Sequence, residues 1–400
     1  MEIPLPPPAL EQGLYPLHKL QDPLPLPEDV PYPLLQVFLS AALEQAGTGL
    51  ALAALTEAPD RELRQALSLI SRVEARQAAS LAHLPASAQE AASQAVFRGY
   101  LSLEATAALA QRMGPGPVRE ALCFLLPEYL DELYRLSNAL MLLSGAPARL
   151  LLQGYGEIMP GRPLIACHRH PFDGVRSPQA DLPKEMALTA LAAAEAAKGR
   201  FYLTAASLKG MGEAEDLLEE LALLSQDHET QLLSLLPRRG ALARLYLLLA
   251  TEKWLYDSWA QACPPEDPAI AFFQRERDHE EAALRRLREE AARLGTPLPE
   301  LPALGPLWSL GPNKGFVRET LESVGQTLCR GRETPVGQLP RNADFFRYQK
   351  RVCPDPETEP GHRIAARMIA LSGSDYRYEI APHPVEALRN RARDETRLGR

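Results

Sequence analysis

The sequence predicts an all-α protein made of two tandem four-helix units, and three observations carry that expectation. Alanine and leucine dominate, while threonine and isoleucine are scarce and aromatic residues make up only 6%; this favours helix over sheet. Apolar residues fall on helical stripes, beginning with Leu34, Leu35, Phe38 and Ala42. Acidic positions also recur at fixed spacing. Glu44 and Glu74 are 30 residues apart, as are Glu195 and Ser225, and Glu104 and Glu128 are 24 apart, as are Glu252 and Glu276. The two sets are offset by 151 residues (44 to 195) and 148 residues (104 to 252). A self-similarity of that period is the mark of a duplicated structural unit.

Taken in order, residues 1–32 are rich in proline and read as an extended arm or an irregular lead-in. The first unit covers 33–143. Asp60 has the character of an N-cap for a helix to about Leu81, and Ser87 with Glu90 has the form of a capping box opening a third helix. Gly114-Pro115-Gly116-Pro117 breaks the chain before a fourth helix. Residues 144–182 are dense in glycine and proline and read as a loop-rich linker. The second unit covers 183–294, with helices expected at about 183–208, 213–236, 239–262 and 268–294. The C-terminal extension, 295–400, offers one further helix at 313–330 and a strand-like alternation at Tyr376–Ile380.

A net charge of −8 and a pI near 5.6 argue against non-specific nucleic-acid binding. Five widely spaced cysteines with no C-x-x-C pair suggest neither a disulfide framework nor a zinc knuckle. The N-terminus lacks the basic and apolar regions of a signal peptide, and no run of residues reads as a membrane span. The expectation is therefore a cytoplasmic protein, with no nucleic-acid or membrane partner.

In the second unit the repeated positions carry histidines at i+3: Ser225-Gln226-Asp227-His228 and Glu276-Arg277-Asp278-His279. The first unit has Gln77 and Asp131 at the corresponding places. Residues three or four apart share a helix face, so Glu276 and His279 can point at one spot. A mixed carboxylate and imidazole donor set suits iron or manganese. Glu195 and Glu252 lie in apolar segments, where an ionised carboxylate needs a cation or a proton.

This pattern resembles the ferritin-like superfamily of diiron-carboxylate proteins, in which Glu, Glu-x-x-His, Glu and Glu-x-x-His come from four successive helices. The resemblance implies two tandem ferritin-like bundles and a metal set in the second one of Glu195, His228, Glu252, Glu276 and His279. It also implies redox chemistry: an iron- or manganese-dependent oxidase or oxygenase acting on a small organic substrate with dioxygen. The departure is Ser225, which stands where the helix-two Glu belongs and leaves a dinuclear and a mononuclear site both open. In the first unit all four Glu are present (Glu44, Glu74, Glu104, Glu128) but both histidines are not, and Pro127 adjoins Glu128; the expectation there is a degenerate, structural copy. The alternative is a metal-free helical scaffold that has lost the ancestral site and binds a partner. His168 and His170 in the linker form a lesser candidate, and Glu280-Glu281 with Arg285, Arg286 and Arg288 reads as a solvated, ion-paired face.

Overall fold

The computed structural model describes residues 32–145 except His83, then 181–301 except Cys263, Pro264, Asp267 and Pro268, and finally Ala303 and 313–320. Eight long helices carry the fold: α1 (Tyr32–Glu57), α2 (Arg61–Leu81), α3 (Ala88–Arg112), α4 (Pro117–Ser144), α5 (Leu182–Ala206), α6 (Ala214–Ser234), α7 (Ala241–Ala262) and α8 (Ala269–Leu294). A short ninth, α9, spans 314–320, and no strand occurs among the described residues. The protein is all-α.

Local chemistry sets the helix ends. The Asp60 carboxylate accepts from the Leu63 N–H at 2.9 Å to open α2. Ser87 Oγ accepts from the Glu90 N–H at 3.1 Å, and the Glu90 side chain reaches back to the Ala86 N–H at 2.8 Å, so the expected reciprocal cap of α3 forms. α4 starts with Pro117 at its first turn, runs through Pro127 and ends at Gly145, whose φ of 75° permits its N–H to close on Met141 O at 2.7 Å. Asp181 opens α5 by accepting from the Lys184 N–H.

The packing differs from two bundles in succession. α1 pairs with α2, α3 with α4, α5 with α6 and α7 with α8 as hairpins, but α1 then packs on α7, α2 on α8, α3 on α5 and α4 on α6. The two terminal hairpins thus close one four-helix bundle (α1, α2, α7, α8), and the two middle hairpins close another (α3, α4, α5, α6). We call these the terminal and central bundles. Each draws one hairpin from each half of the sequence. The short connections 82–87 and 235–240 carry the chain from one bundle to the other, which lays the two hairpins of each half side by side. A hairpin with one apolar face needs only a complementary apolar face, so each can be completed by a hairpin of the other half.

α1 and α5 meet on the seam between the bundles, where α1 also touches α3, and α5 touches α7. That position explains their composition. The stretch Leu35–Glu57 is long and apolar enough to cross a membrane by length and hydropathy, contrary to the sequence expectation; here it is mostly buried against neighbouring helices. Leu35, Phe38, Leu39, Ala42 and Leu43 are all at most 1% exposed.

If each bundle needs both halves, fragments 1–145 and 181–400 produced separately should each be poorly folded and should combine into one helical complex on mixing. Cooperative unfolding of each fragment alone, with no association by size-exclusion chromatography, would refute the pairing.

Candidate metal centre

The terminal bundle encloses an acidic centre. α1 supplies Glu44; α2 supplies Glu74 and Gln77; α7 supplies Glu252 and Tyr256; α8 supplies Glu276, His279 and Glu280. None is more than 6% exposed. Helical periodicity does the local positioning, since 74/77, 252/256 and 276/279/280 are spaced to share a face. Glu44, Glu74 and Glu252 each bring a carboxylate oxygen within 4.8 Å of the others. The Tyr256 hydroxyl donates to Glu44 Oε1. Gln77 Nε2 donates to Glu276 Oε2 at 2.6 Å and to Glu280 Oε1 at 3.3 Å. Arg275 Nε donates to Glu276 Oε1 at 2.9 Å, and His279 Nδ1 lies 3.4 Å from Glu276 Oε2.

Charge in this centre is poorly compensated. Glu44 and Glu74 hydrogen-bond to each other through their side chains, and no donor among the described residues reaches either oxygen of Glu252 or Glu280 Oε2. Burial pushes the Glu44, Glu74 and Glu252 carboxyls well above the usual range, and repulsion from Glu280 adds to it in each. Glu280 itself is pushed up to about 8, first by burial and then by Glu276, against the pull of Gln77. Only Glu276 moves down: burial raises it, but His279, Gln77 and the Arg275 charge overcome that. Gly47 completes the cradle, because a Cβ there would collide with Glu74 Oε2.

The central bundle is acidic inside as well, but it carries its own cations. Lys198 Nζ sits 3.0 Å from Glu195 Oε2 and 2.9 Å from Glu132 Oε2, with the Tyr129 ring 4.8 Å away. His228 Nε2 contacts Glu128 Oε2 at 2.8 Å, and its Nδ1 lies 3.4 Å from Glu195 Oε2. Arg135 bridges Asp131 at 2.9 Å and Glu220 at 3.4 Å. Burial pushes the His228 imidazole down, yet the bonds to Glu128 and Glu195 prevail and raise it to about 9. Glu195 is held at about 2: burial raises it, but Lys198 and His228 outweigh burial.

The two interiors are related position by position. The 151-residue offset carries Glu44 onto Glu195, Gly47 onto Lys198, Glu74 onto Ser225 and Gln77 onto His228. The 148-residue offset carries Glu128 onto Glu276 and Glu132 onto Glu280. Lys198 therefore joins Glu195 and Glu132, whereas the corresponding Glu44 and Glu280 in the terminal bundle repel each other, with no lysine of the described residues between them.

The residues expected to form one site are divided between these centres. Glu195 and His228 join Glu128 in the central bundle; Glu252, Glu276 and His279 join Glu44 and Glu74 in the terminal one. The expectation of one five-residue set within 183–294 is corrected accordingly, because its helices close against those of 33–143. Glu44 and Glu74, expected to be structural, stand at the acidic centre. Glu104 does not: its Oε2 accepts from the Asn313 N–H at 3.1 Å and Nδ2 at 2.8 Å, while Ser102 and Thr106 on the same helix reach Glu195 and Tyr129. Glu280 was expected on a solvated face and is 1% exposed. It, Tyr256 and Lys198 are site residues that spacing could have found, each three or four residues from an acidic position already singled out. His168 and His170, the Tyr376–Ile380 segment and residues 321–330 lie outside the described residues. Neither family models, curated proteins nor solved structures match this chain.

Two outcomes follow from the central bundle. Lys198→Met leaves Glu195 and Glu132 buried without their cation and should cost about 3 to 5 kcal/mol in urea unfolding; a loss within error of zero would show that the pair is solvated. The His228 pKa is raised on folding, so its stabilisation is complete below the ordinary value of 6.5 and is lost as pH climbs through about 9. Stability should fall across that window in the wild type and fall less in His228→Gln; parallel profiles would overturn this assignment.

Proposed function

We propose that this protein is a ferritin-like nonhaem metalloprotein whose terminal bundle holds two iron or manganese ions. It would act in the cytoplasm as an oxidase or oxygenase on a small organic substrate. One observation carries the reading: five buried carboxylates gather in the terminal bundle, and where the central bundle has Lys198 beside its glutamates the terminal one has Gly47, with no lysine of the described residues taking its place. Glu44, Glu74, Glu252, Glu276, Glu280 and His279 would hold the ions. The charge closes, since five carboxylates are matched by two divalent ions and the Arg275 guanidinium beside Glu276. Unpartnered oxygens on α7 and α8 and a glycine-lined recess fit such a pair of ions better than a proton network would.

Bound there, iron or manganese would supply reversible one-electron chemistry and positions for dioxygen. The chain's own residues do the rest. Tyr256 fixes Glu44, Gln77 and Arg275 fix Glu276, and a wall of apolar helices keeps water from the centre. The central bundle is read as metal-free, because Lys198, His228 and Arg135 already compensate its carboxylates.

Elemental analysis of the full chain, purified and then reconstituted anaerobically with ferrous iron, tests the reading. About two ions per chain are expected, with the content lost in Glu252→Ala/His279→Ala, reduced in Gly47→Ala where Glu74 is displaced, and kept in Glu128→Gln. Absence of metal after reconstitution would leave a helical scaffold and sink the oxidase reading. Metal lost in Glu128→Gln but not in the first variant would move the site to the other bundle.

A further inference from the structure

Resting on that two-ion reading, we propose that the two metal positions are chemically unlike and that Gln77 makes them so, with the α1–α2 side taking a hard ion such as Mn2+ and the α7–α8 side taking iron. Among the described residues the terminal centre has one imidazole, His279, and it belongs to α8. The facing hairpin contributes Glu44, Glu74 and the amide of Gln77, so its donors are all oxygen or amide. Carboxylate and carbonyl oxygens suit Mn2+ and Mg2+, while imidazole raises the preference for iron.

Gln77 is a specific replacement within a surviving geometry. Its 151-residue counterpart is His228. His228 Nε2 reaches Glu128 at 2.8 Å; Gln77 Nε2 reaches Glu276, the counterpart of Glu128, at 2.6 Å. The two side chains thus span the same gap between equivalent helices to equivalent carboxylates. The central bundle shows that an imidazole fits there, so the amide is not forced by space. What the amide changes is donor chemistry: through the same Nε2 it donates to Glu276 and Glu280 together, tying both α8 carboxylates across to α2 without adding a ring nitrogen to the centre. Gln77 is 1% exposed, which removes solvent as the reason for a polar side chain at that point. It acts as a positioning residue on the α8 carboxylates and sets which ion its own side of the centre prefers.

The test is competitive loading of the metal-free full chain with equimolar Mn2+ and Fe2+ under anaerobic conditions, read by elemental analysis. About one manganese and about one iron per chain are expected in the wild type. Gln77→His should replace manganese by iron, lowering the manganese-to-iron ratio several-fold at unchanged total metal. Gln77→Glu cannot make the two amide hydrogen bonds to Glu276 and Glu280 and brings no imidazole, so it should keep the wild-type ratio and separates the effect of the ring nitrogen from loss of the amide. Two irons in the wild type, or one ratio shared by all three proteins, overturns the inference and leaves the two-ion reading standing. No metal in any of them removes that reading first.

Discussion

Carboxylates inside a helical bundle must find positive charge or hold protons, and that requirement organises both interiors of this protein. Desolvating one ionised Glu in an apolar core costs several kcal/mol, and neighbouring Glu residues add mutual repulsion. The central bundle meets the demand with side chains: Lys198 between Glu195 and Glu132, His228 between Glu128 and Glu195, Arg135 between Asp131 and Glu220. The terminal bundle holds a comparable cluster, and among the described residues its positive charge lies at the edge, where Arg275 and His279 flank Glu276. The raised carboxyls of Glu44, Glu74, Glu252 and Glu280 are the electrostatic consequence.

The cross-half pairing gives each bundle a mixed inheritance. If each half had closed on itself, Glu44 and Glu74 would share a centre with Asp131, and Glu195 would share one with His279. As folded, each bundle instead combines helices from both halves, and the residues at the offset positions differ between the bundles. Residues that look degenerate against their own half become consistent against their actual neighbours. Gln77, taken alone, looks like a lost ligand; across from Glu276 and Glu280 it is a well-placed donor.

This is also why the sequence was legible in one respect and not in another. Helix existence and ends are local properties. Asp60, Ser87 with Glu90, and Gly145 announce themselves through capping chemistry that needs nothing distant. Which hairpin faces which is a non-local choice among similar surfaces, and nothing in residue spacing decides it. Spacing also matches residue types rather than faces. It paired Glu104 with Glu252 although Ser102 and Thr106 occupy the inward face of α3, and Glu104 turns to Asn313. It passed over Lys198, and it placed Glu280 on a solvated face although that side chain is buried.

Ser225 brings these threads together, because its departure from Glu is one half of an exchange. In the terminal bundle, Glu74 lies against Gly47, and the missing side chain of Gly47 leaves room for its carboxylate. In the central bundle the same pair of positions reads Ser225 and Lys198. The small side chain is now on α6 and the large one on α5, and the charge is reversed. The reversal is reinforced next door, where a Cβ on Gly199 would stand only 3.3 Å from the Ala222 carbonyl oxygen and from Ser225 Cβ. α5 and α6 approach closely there, and the Ser225 hydroxyl turns back to donate to the Leu221 carbonyl. Lys198, one residue before Gly199, supplies the counter-charge to Glu195. The glycine at position 47 is informative in the same way: it leaves room for the Glu74 carboxylate, and among the described residues no lysine stands beside Glu44 as Lys198 stands beside Glu195.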